Sequence, residues 1–305
     1  MGIALLFPGQ GSQQVGMGRS FVDDYPVARE TFQQANAALG FDLMKLCLEG
    51  PEAELTLTYN TQAAILTVST IAYRVLAGQT ALRPLSLAGH SLGEYSALVA
   101  AGVLTFPDAL RAVYQRGKFM QEATPVGVGA MAAILGTAPE ELERICAEEA
   151  QGEVVSPANY NAPGQIAVSG HAAAVQRVLG RCKGKLLTVS APFHCALMRP
   201  AAERMAEVLR GLKFSDAAVP VVANVDNAFL TRAGDFAPAL ERQITAPVRW
   251  DSGVQAMIAQ GATHFVELGH GKVLSGLMKR IDKSASISNV QDTGSLQAAL
   301  AELGQ

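Results

Sequence analysis

Residues 89–93 read Gly-His-Ser-Leu-Gly, set between an apolar run, Leu85–Ala88, and a helix-compatible run, Leu92–Ala101. This G-x-S-x-G pattern in a strand–turn–helix setting constrains the fold more than any other stretch of the chain. Glycines on both sides let the backbone crowd a strained turn, which leaves the Ser91 hydroxyl exposed at a strand end. The helix that follows offers N–H groups to a developing oxyanion. A Gly/Ser turn can match five positions by chance, but it does not require a strand before it and a helix after it. Ser91 is therefore a candidate acyl-accepting nucleophile.

Helix–strand alternation around this turn predicts an α/β fold with a mostly parallel, doubly wound sheet. Ile3–Phe7 reads as a buried strand that ends at Pro8, and Pro8–Gln13 as a glycine-rich turn without the Lys-Ser/Thr ending of a phosphate loop. Helices are expected near Pro26–Ala38 and Thr61–Leu76, and from near Phe106-Pro107-Asp108 to about Glu122, the last with Pro107 in its first turn. Residues 128–190 change rhythm. Strands at Gly129–Leu135, Glu153–Ala158, Gln165–Ser169 and Lys185–Val189 interleave with helices at Ala138–Glu149 and His171–Cys182. The order βαββαβ is that of a ferredoxin-like module. The expected organisation is a small domain, 127–190, inserted into a larger α/β domain made of 1–126 and 191–305. Beyond it, helices are expected at Ala201–Leu212, Phe236–Ile244, Gly253–Ala259 and Val273–Ile281, with strands at Val219–Asn224 and His264–Glu267.

Composition narrows the function classes. Of 305 residues, 49% are hydrophobic and 17% charged, which allows a large buried core. A net charge of −3 gives no basic excess toward nucleic acid. Cys47, Cys146, Cys182 and Cys195 form no C-x-x-C pair, and the five histidines form no H-E-x-x-H. Neither a metal nor a redox centre is expected, and the thiols read as buried residues of a reducing compartment. The N-terminus lacks a basic signal-peptide region and no apolar run approaches a membrane span. A soluble, cytoplasmic protein is the expectation.

A serine nucleophile needs a base. His194, in Ala191-Pro192-Phe193-His194-Cys195, follows a strand at the expected domain seam, and the serine-before-histidine order suits hydrolase-like folds. A satisfied loop histidine is an equal alternative on pattern alone. His90 adjoins Ser91, but its side chain is expected to point away across the turn; His171, His264 and His270 fall on a helix start, a strand and a turn. Arg116 shares a helix face with Val113 and Met120, so an apolar stripe carries a guanidinium. A buried arginine requires an anion or a dense set of acceptors. One option is an internal ion pair. The other is a bidentate clamp for a substrate carboxylate, which would select a dicarboxylic acyl group.

Several motifs, in order, resemble the malonyl-CoA:acyl-carrier-protein transacylase family. They are Phe7–Gln13, Gly89–Ala97, Gln115-Arg116-Gly117, Phe193–Met198, Val266–Gly269 and Gly271–Leu274, and the resemblance spans about residues 3 to 282. It implies a hydrolase-like core with a ferredoxin-like insert and a ping-pong reaction. Malonyl-CoA would acylate Ser91, and the phosphopantetheine thiol of acyl carrier protein would then accept the malonyl group. The resemblance assigns His194 as base, Gln243 as the residue whose backbone carbonyl orients it, Gln10 and Leu92 as oxyanion-hole N–H donors, and Arg116 as the carboxylate clamp. Phe193, Met120 and His90 are candidates to line the acyl pocket. No bound cofactor is implied, and the family suggests a monomer.

There are departures from the family pattern. Phe193 stands where many stand-alone bacterial members carry a small residue; a Phe-His pair is more typical of malonyl-selecting polyketide domains, and a ring there would disfavour a 2-methyl branch. The segment from His171 to Phe193 is shorter than in many relatives. His270 replaces a common Pro. Alternatives that use the same residues are a trans-acting polyketide acyltransferase, a serine esterase or thioesterase, and a carrier-binding scaffold with an inert site. The esterase lacks a convincing acidic partner between Ser91 and His194. Carrier proteins are acidic, so Lys118, Lys272, Lys279 and Arg280 are candidates for the site's mouth.

Overall fold

The structure is a computed structural model that describes residues 2–304. Ten strands occur among these residues: β1 (Ile3–Phe7), β2 (Ser86–Gly89), β3 (Gly129–Leu135), β4 (Val155–Ala162), β5 (Gln165–His171), β6 (Gly184–Leu186), β7 (Val221–Val222), β8 (Phe229–Leu230), β9 (His264–Leu268) and β10 (Ser286–Val290). They form two sheets. The larger has the order β10-β9-β1-β2-β7-β8, parallel throughout except for β8 at its edge. The smaller, β4-β5-β3-β6, is antiparallel.

The larger sheet is sandwiched between helices, as a parallel sheet must be when both of its faces are apolar. β1 is the central strand: Ala4 and Leu6 face one hydrophobic cluster with Val222, Trp250 and Phe265, while Leu5 and Phe7 face the other with the long helices Thr58–Ala77 and Phe106–Glu122. In the smaller sheet, Ala132, Ile134, Ile166 and Val168 pack against helices Pro139–Ala150 and Ala172–Arg181, giving a separate core. β4 is also tied to the segment that follows the helix Ala233–Thr245. The Tyr160 N–H donates to the Val248 carbonyl at 2.8 Å and the Val248 N–H to the Ala158 carbonyl at 2.9 Å.

The α/β class, the parallel sheet and the βαββαβ order agree with the sequence reading. Several elements differ. The strand expected over Val219–Asn224 is ordered as strand only at Val221–Val222, because Asn224 turns away to bond the Ser91 turn. β6 is shorter than the expected Lys185–Val189: the Leu187 N–H still donates to the Met131 carbonyl of β3 at 2.9 Å, but the Leu187 and Val189 side chains pack on the main core. β10 and the helix Thr293–Glu302 are additional; Ser286-Ile287-Ser288-Asn289-Val290 is too polar to read as a strand, yet it pairs along all of β9. Short helices at Arg19–Asp24, Leu43–Glu49 and Glu52–Leu55 are additional as well.

Three backbones meet at the Ser91 turn. A Cβ on Gly89 would lie 1.9 Å from the Gly93 carbonyl carbon, and one on Gly93 would lie 2.2 Å from the Phe7 carbonyl oxygen. These glycines are thus required for close approach, with β1 crossing beneath the turn. Gly276, by contrast, is exposed on the helix Val273–Ile281 with open space around it. Gly89→Ala is expected to cost about 3 kcal/mol or more, and Gly276→Ala to stabilise by about 0.5–1 kcal/mol. Denaturant titration of the two variants checks both signs.

Candidate active site

The site lies at the carboxyl ends of β1, β2 and β7, where open parallel sheets bind ligands. β2 runs out into His90 and Ser91, and the helix Gly93–Ala100 begins immediately afterward. Ser91 has φ 53°, a left-handed conformation rare for a residue with a side chain. Its strain is held by Asn224, whose Oδ1 accepts the Ser91 N–H at 2.7 Å and whose Nδ2 donates to the Gly89 carbonyl at 2.8 Å.

The Ser91 Oγ lies 2.7 Å from His194 Nε2. His194 follows β6 in a loop, is buried, and also has positive φ, 60°. Its Nδ1 lies 2.8 Å from the backbone carbonyl of Gln243. Gln243 sits in the last turn of the helix Ala233–Thr245, where carbonyls have no partner within the helix. The free carbonyl therefore fixes the Nδ1–H tautomer and leaves Nε2 as an acceptor facing Ser91. Burial and the Arg116 charge push the His194 imidazole down to about 3, so it is held neutral.

Arg116 is on the buried face of Phe106–Glu122, a helix capped by Thr105 and started by Pro107. The side chain is 1% exposed. Nη1 donates to Gln62 Oε1 at 2.9 Å; Nη2 donates to Gln243 Oε1 at 2.9 Å and to Ser91 Oγ at 3.0 Å. The guanidinium also stands 5.9 Å from the centre of the Tyr95 ring. Its Nε has no partner among the described residues. None of the ion pairs among the described residues includes Arg116. The internal ion pair considered from sequence is therefore not what holds it; neutral acceptors are.

These groups open into a cavity of about 210 Å³. Ser91, His194 and Arg116 line it with Gln10, Leu92, Phe193, Met120 and His90, and Gln243 bonds His194 from beneath, so the residues given a catalytic, oxyanion or acyl-pocket role from sequence meet at one site. Among the described residues the Gln10 and Leu92 N–H groups donate to no other part of the chain. His90 does turn away from the nucleophile: its Nε2 lies 2.8 Å from Asn161 Oδ1 on β4, and its ring lies 5.5 Å from that of Trp250. It joins the turn to the small sheet. Of the basic candidates, Arg280 bonds Gln165 on the cavity rim, and Lys272 precedes the rim residue Val273; Lys118 instead packs 4.6 Å above the Tyr114 ring.

Sequence reasoning missed Gln62, Glu94 and Asn224. Gln62 is one of several buried polar residues on the helix Thr58–Ala77, with Asn60, Thr61 and Thr67 among them, so nothing local set it apart. Glu94 is a fully buried carboxylate three residues after Ser91; its Oε2 accepts from Gln243 Nε2 at 2.8 Å and from the Asn224 N–H at 3.1 Å. Burial pushes it up to about 7. Asn224 carried no local signal. Among the described residues no three His, Cys, Asp or Glu side chains gather as a metal-ligand set, and no helix is long and apolar enough to cross a membrane.

The profile of the acyl transferase domain family matches residues 4–302, about twenty residues beyond the C-terminal limit of the resemblance read from sequence. The chain is 49% identical over 303 residues to the malonyl CoA-acyl carrier protein transacylase of Escherichia coli K12, covering 97% of this chain and 98% of that protein. It is 44% identical to the enzyme of the same name from Bacillus subtilis 168, covering 99% and 97%. The solved structure of the Coxiella burnetii malonyl CoA-acyl carrier protein transacylase superposes with a TM-score of 0.98 at 41% identity, covering 100% and 98%. A malonyl-transacylase bound to the acyl-carrier protein of a type II polyketide synthase superposes at 0.96 with 45% identity, covering 99% and 100%. With its Ser–His pair and its buried arginine in one cavity, this chain belongs to the acyl transferase family.

Proposed function

We propose that this acyltransferase moves a malonyl group from malonyl-CoA to the phosphopantetheine thiol of acyl carrier protein, through malonyl-Ser91, in fatty-acid synthesis. One observation carries the choice of acyl group. Arg116 Nη2 lies one hydrogen bond from the Ser91 Oγ. A guanidinium so close to the ester oxygen reaches a carboxylate that is one methylene from the acyl carbonyl. A neutral acyl group would leave it facing apolar surface.

Ser91 Oγ attacks the thioester carbonyl as His194 Nε2 takes its proton. The negative charge that forms on the carbonyl oxygen is held by the Gln10 and Leu92 N–H groups. Collapse expels the CoA thiol, which recovers the proton from His194. The carrier thiol then gives its proton to His194 and attacks the malonyl ester, and Ser91 leaves with that proton. The Gln243 carbonyl orients His194 without a negative charge, which suits a thioester, a more reactive acyl donor than an amide. Residues 127–190 act as a small domain that walls one side of the cavity, with 1–126 and 191–305 as the catalytic domain. Phe193 limits space beside the acyl C2. We place the protein in the cytoplasm as a monomer, with Lys272, Lys279 and Arg280 facing an acidic carrier.

The polyketide reading has one observation in its favour, the likeness to a transacylase bound to a polyketide carrier protein. Comparing transfer rates to fatty-acid and polyketide carrier proteins separates the two.

Intact mass measured after exposure to malonyl-CoA is expected to rise by one malonyl group, and Ser91→Ala to abolish the rise. Arg116→Ala is expected to slow malonylation by roughly 100-fold or more, while acetylation from acetyl-CoA falls far less. Equal losses for both donors would remove the clamp. Because His194 is neutral above about pH 3, the acylation rate at saturating malonyl-CoA is expected to stay level between about pH 5 and pH 8. A fall near pH 6.5, the ordinary histidine value, would show that the imidazole is not held neutral.

A further inference from the structure

Glu94 has no task in the mechanism above, yet it is fully buried directly below the nucleophile. A carboxylate out of water is costly unless a cation or several donors compensate it. Here the donors are the Gln243 side-chain amide and the Asn224 N–H. The same Gln243 amide accepts from Arg116 at its oxygen. One planar amide thus lies between the buried cation and the buried anion, with its oxygen toward the guanidinium and its nitrogen toward the carboxylate. The amide dipole is aligned with both charges, so each stabilises the other through it.

We propose that Glu94, acting through Gln243, is the resting counter-charge of Arg116, and that the carboxylate of the incoming acyl group displaces it from that role. The proposal rests on the malonyl reading above and deepens it. Two anions cannot both be balanced by one guanidinium at this range. When the acyl carboxylate reaches Arg116, Glu94 takes a proton from solvent and becomes a neutral carboxylic acid, and the net charge of the site is kept. Glu94 is a positioning residue: it sets how strongly Arg116 attracts an anion and touches no reacting atom. The other ionisable groups facing it are few. Tyr95 on its own helix is held protonated by burial. Asp226 is half-exposed and paired with Arg242 at 2.9 Å. His194 is already neutral.

The sign follows directly. Glu94 in the empty site titrates about neutrality. Below that it is already protonated, and Arg116 is unopposed. Above it, the acyl carboxylate must drive protonation, so binding weakens as pH rises. The test is single-turnover acylation of Ser91 followed by intact mass, with malonyl-CoA and acetyl-CoA across pH 6 to 8.5. For the wild type, the half-saturating malonyl-CoA concentration is expected to rise roughly fivefold or more over this range, with no comparable rise for acetyl-CoA. Glu94→Gln, which keeps the side-chain shape without the charge, is expected to level the malonyl profile at its low-pH value and to raise malonyl preference over acetyl. Glu94→Asp is expected to restore the slope.

A malonyl profile that is level in the wild type overturns the inference, and that measurement does not depend on any variant folding. So does a Glu94→Gln protein that loses both donors equally with an unchanged slope, as a purely structural residue would. Failure of malonyl-CoA to acylate the wild type at all would overturn the malonyl reading itself.

Discussion

A guanidinium held out of water is the constraint around which this site is built. Arg116 is on the buried stripe of a helix, where a charge without acceptors would cost far more than the helix gains by packing. The chain meets the demand with neutral groups. Gln62, Gln243 and the Ser91 hydroxyl accept hydrogen bonds from its N–H groups, and Tyr95 presents its ring face. A direct carboxylate partner would have satisfied the charge better and left nothing for a ligand. The neutral set holds the fork in place while keeping its charge available.

Other properties of the site follow from that charge. Together with burial, which is the larger effect, it opposes a second cation nearby, so His194 is kept as neutral imidazole and is ready to accept a proton. It also explains why Gln243 suits its position. The residue's backbone carbonyl orients His194, its side-chain oxygen accepts from Arg116, and its side-chain nitrogen donates to the Ser91 carbonyl at 3.0 Å and to Glu94. Four contacts from one residue couple the base, the clamp and the strained turn. Any movement of the Ala233–Thr245 helix end is felt at all three together.

Much of this was legible in the chain, because the features concerned are local. The Ser91 turn announces itself by two glycines whose Cβ atoms would collide with backbone. Arg116 is conspicuous because it breaks an apolar stripe, and the small sheet because strand and helix patterns alternate within a short span. What could not be read depends on distant partners. Asn224 takes its role from the turn at the end of the neighbouring strand β2, and it is the reason that β7 is so short. Ser286–Val290 becomes a strand because β9 offers a full edge to pair with, against its own polar composition. Glu94 looks like an ordinary first-turn acid of a helix until Gln243 and the Asn224 backbone are placed over it.

The path of the chain between the sheets has a further consequence. At the first residue of β3, a Cβ on Gly129 would lie 2.3 Å from the Pro192 ring, so the chain leaves the parallel core and returns to it at a single point. A segment with such adjoining ends is geometrically a cassette, held to the rest of the chain by contacts that any replacement has to reproduce. One of these is the bond between Asn161 Oδ1 on β4 and His90 Nε2 beside the nucleophile, at 2.8 Å. The β4 backbone is bonded to Val248 on the far side, and a replacement that does not offer the same two hydrogen bonds would leave that core edge unpaired in a buried position. Grafts that preserve residues 158–160 should therefore be accepted more readily than grafts chosen for matching length.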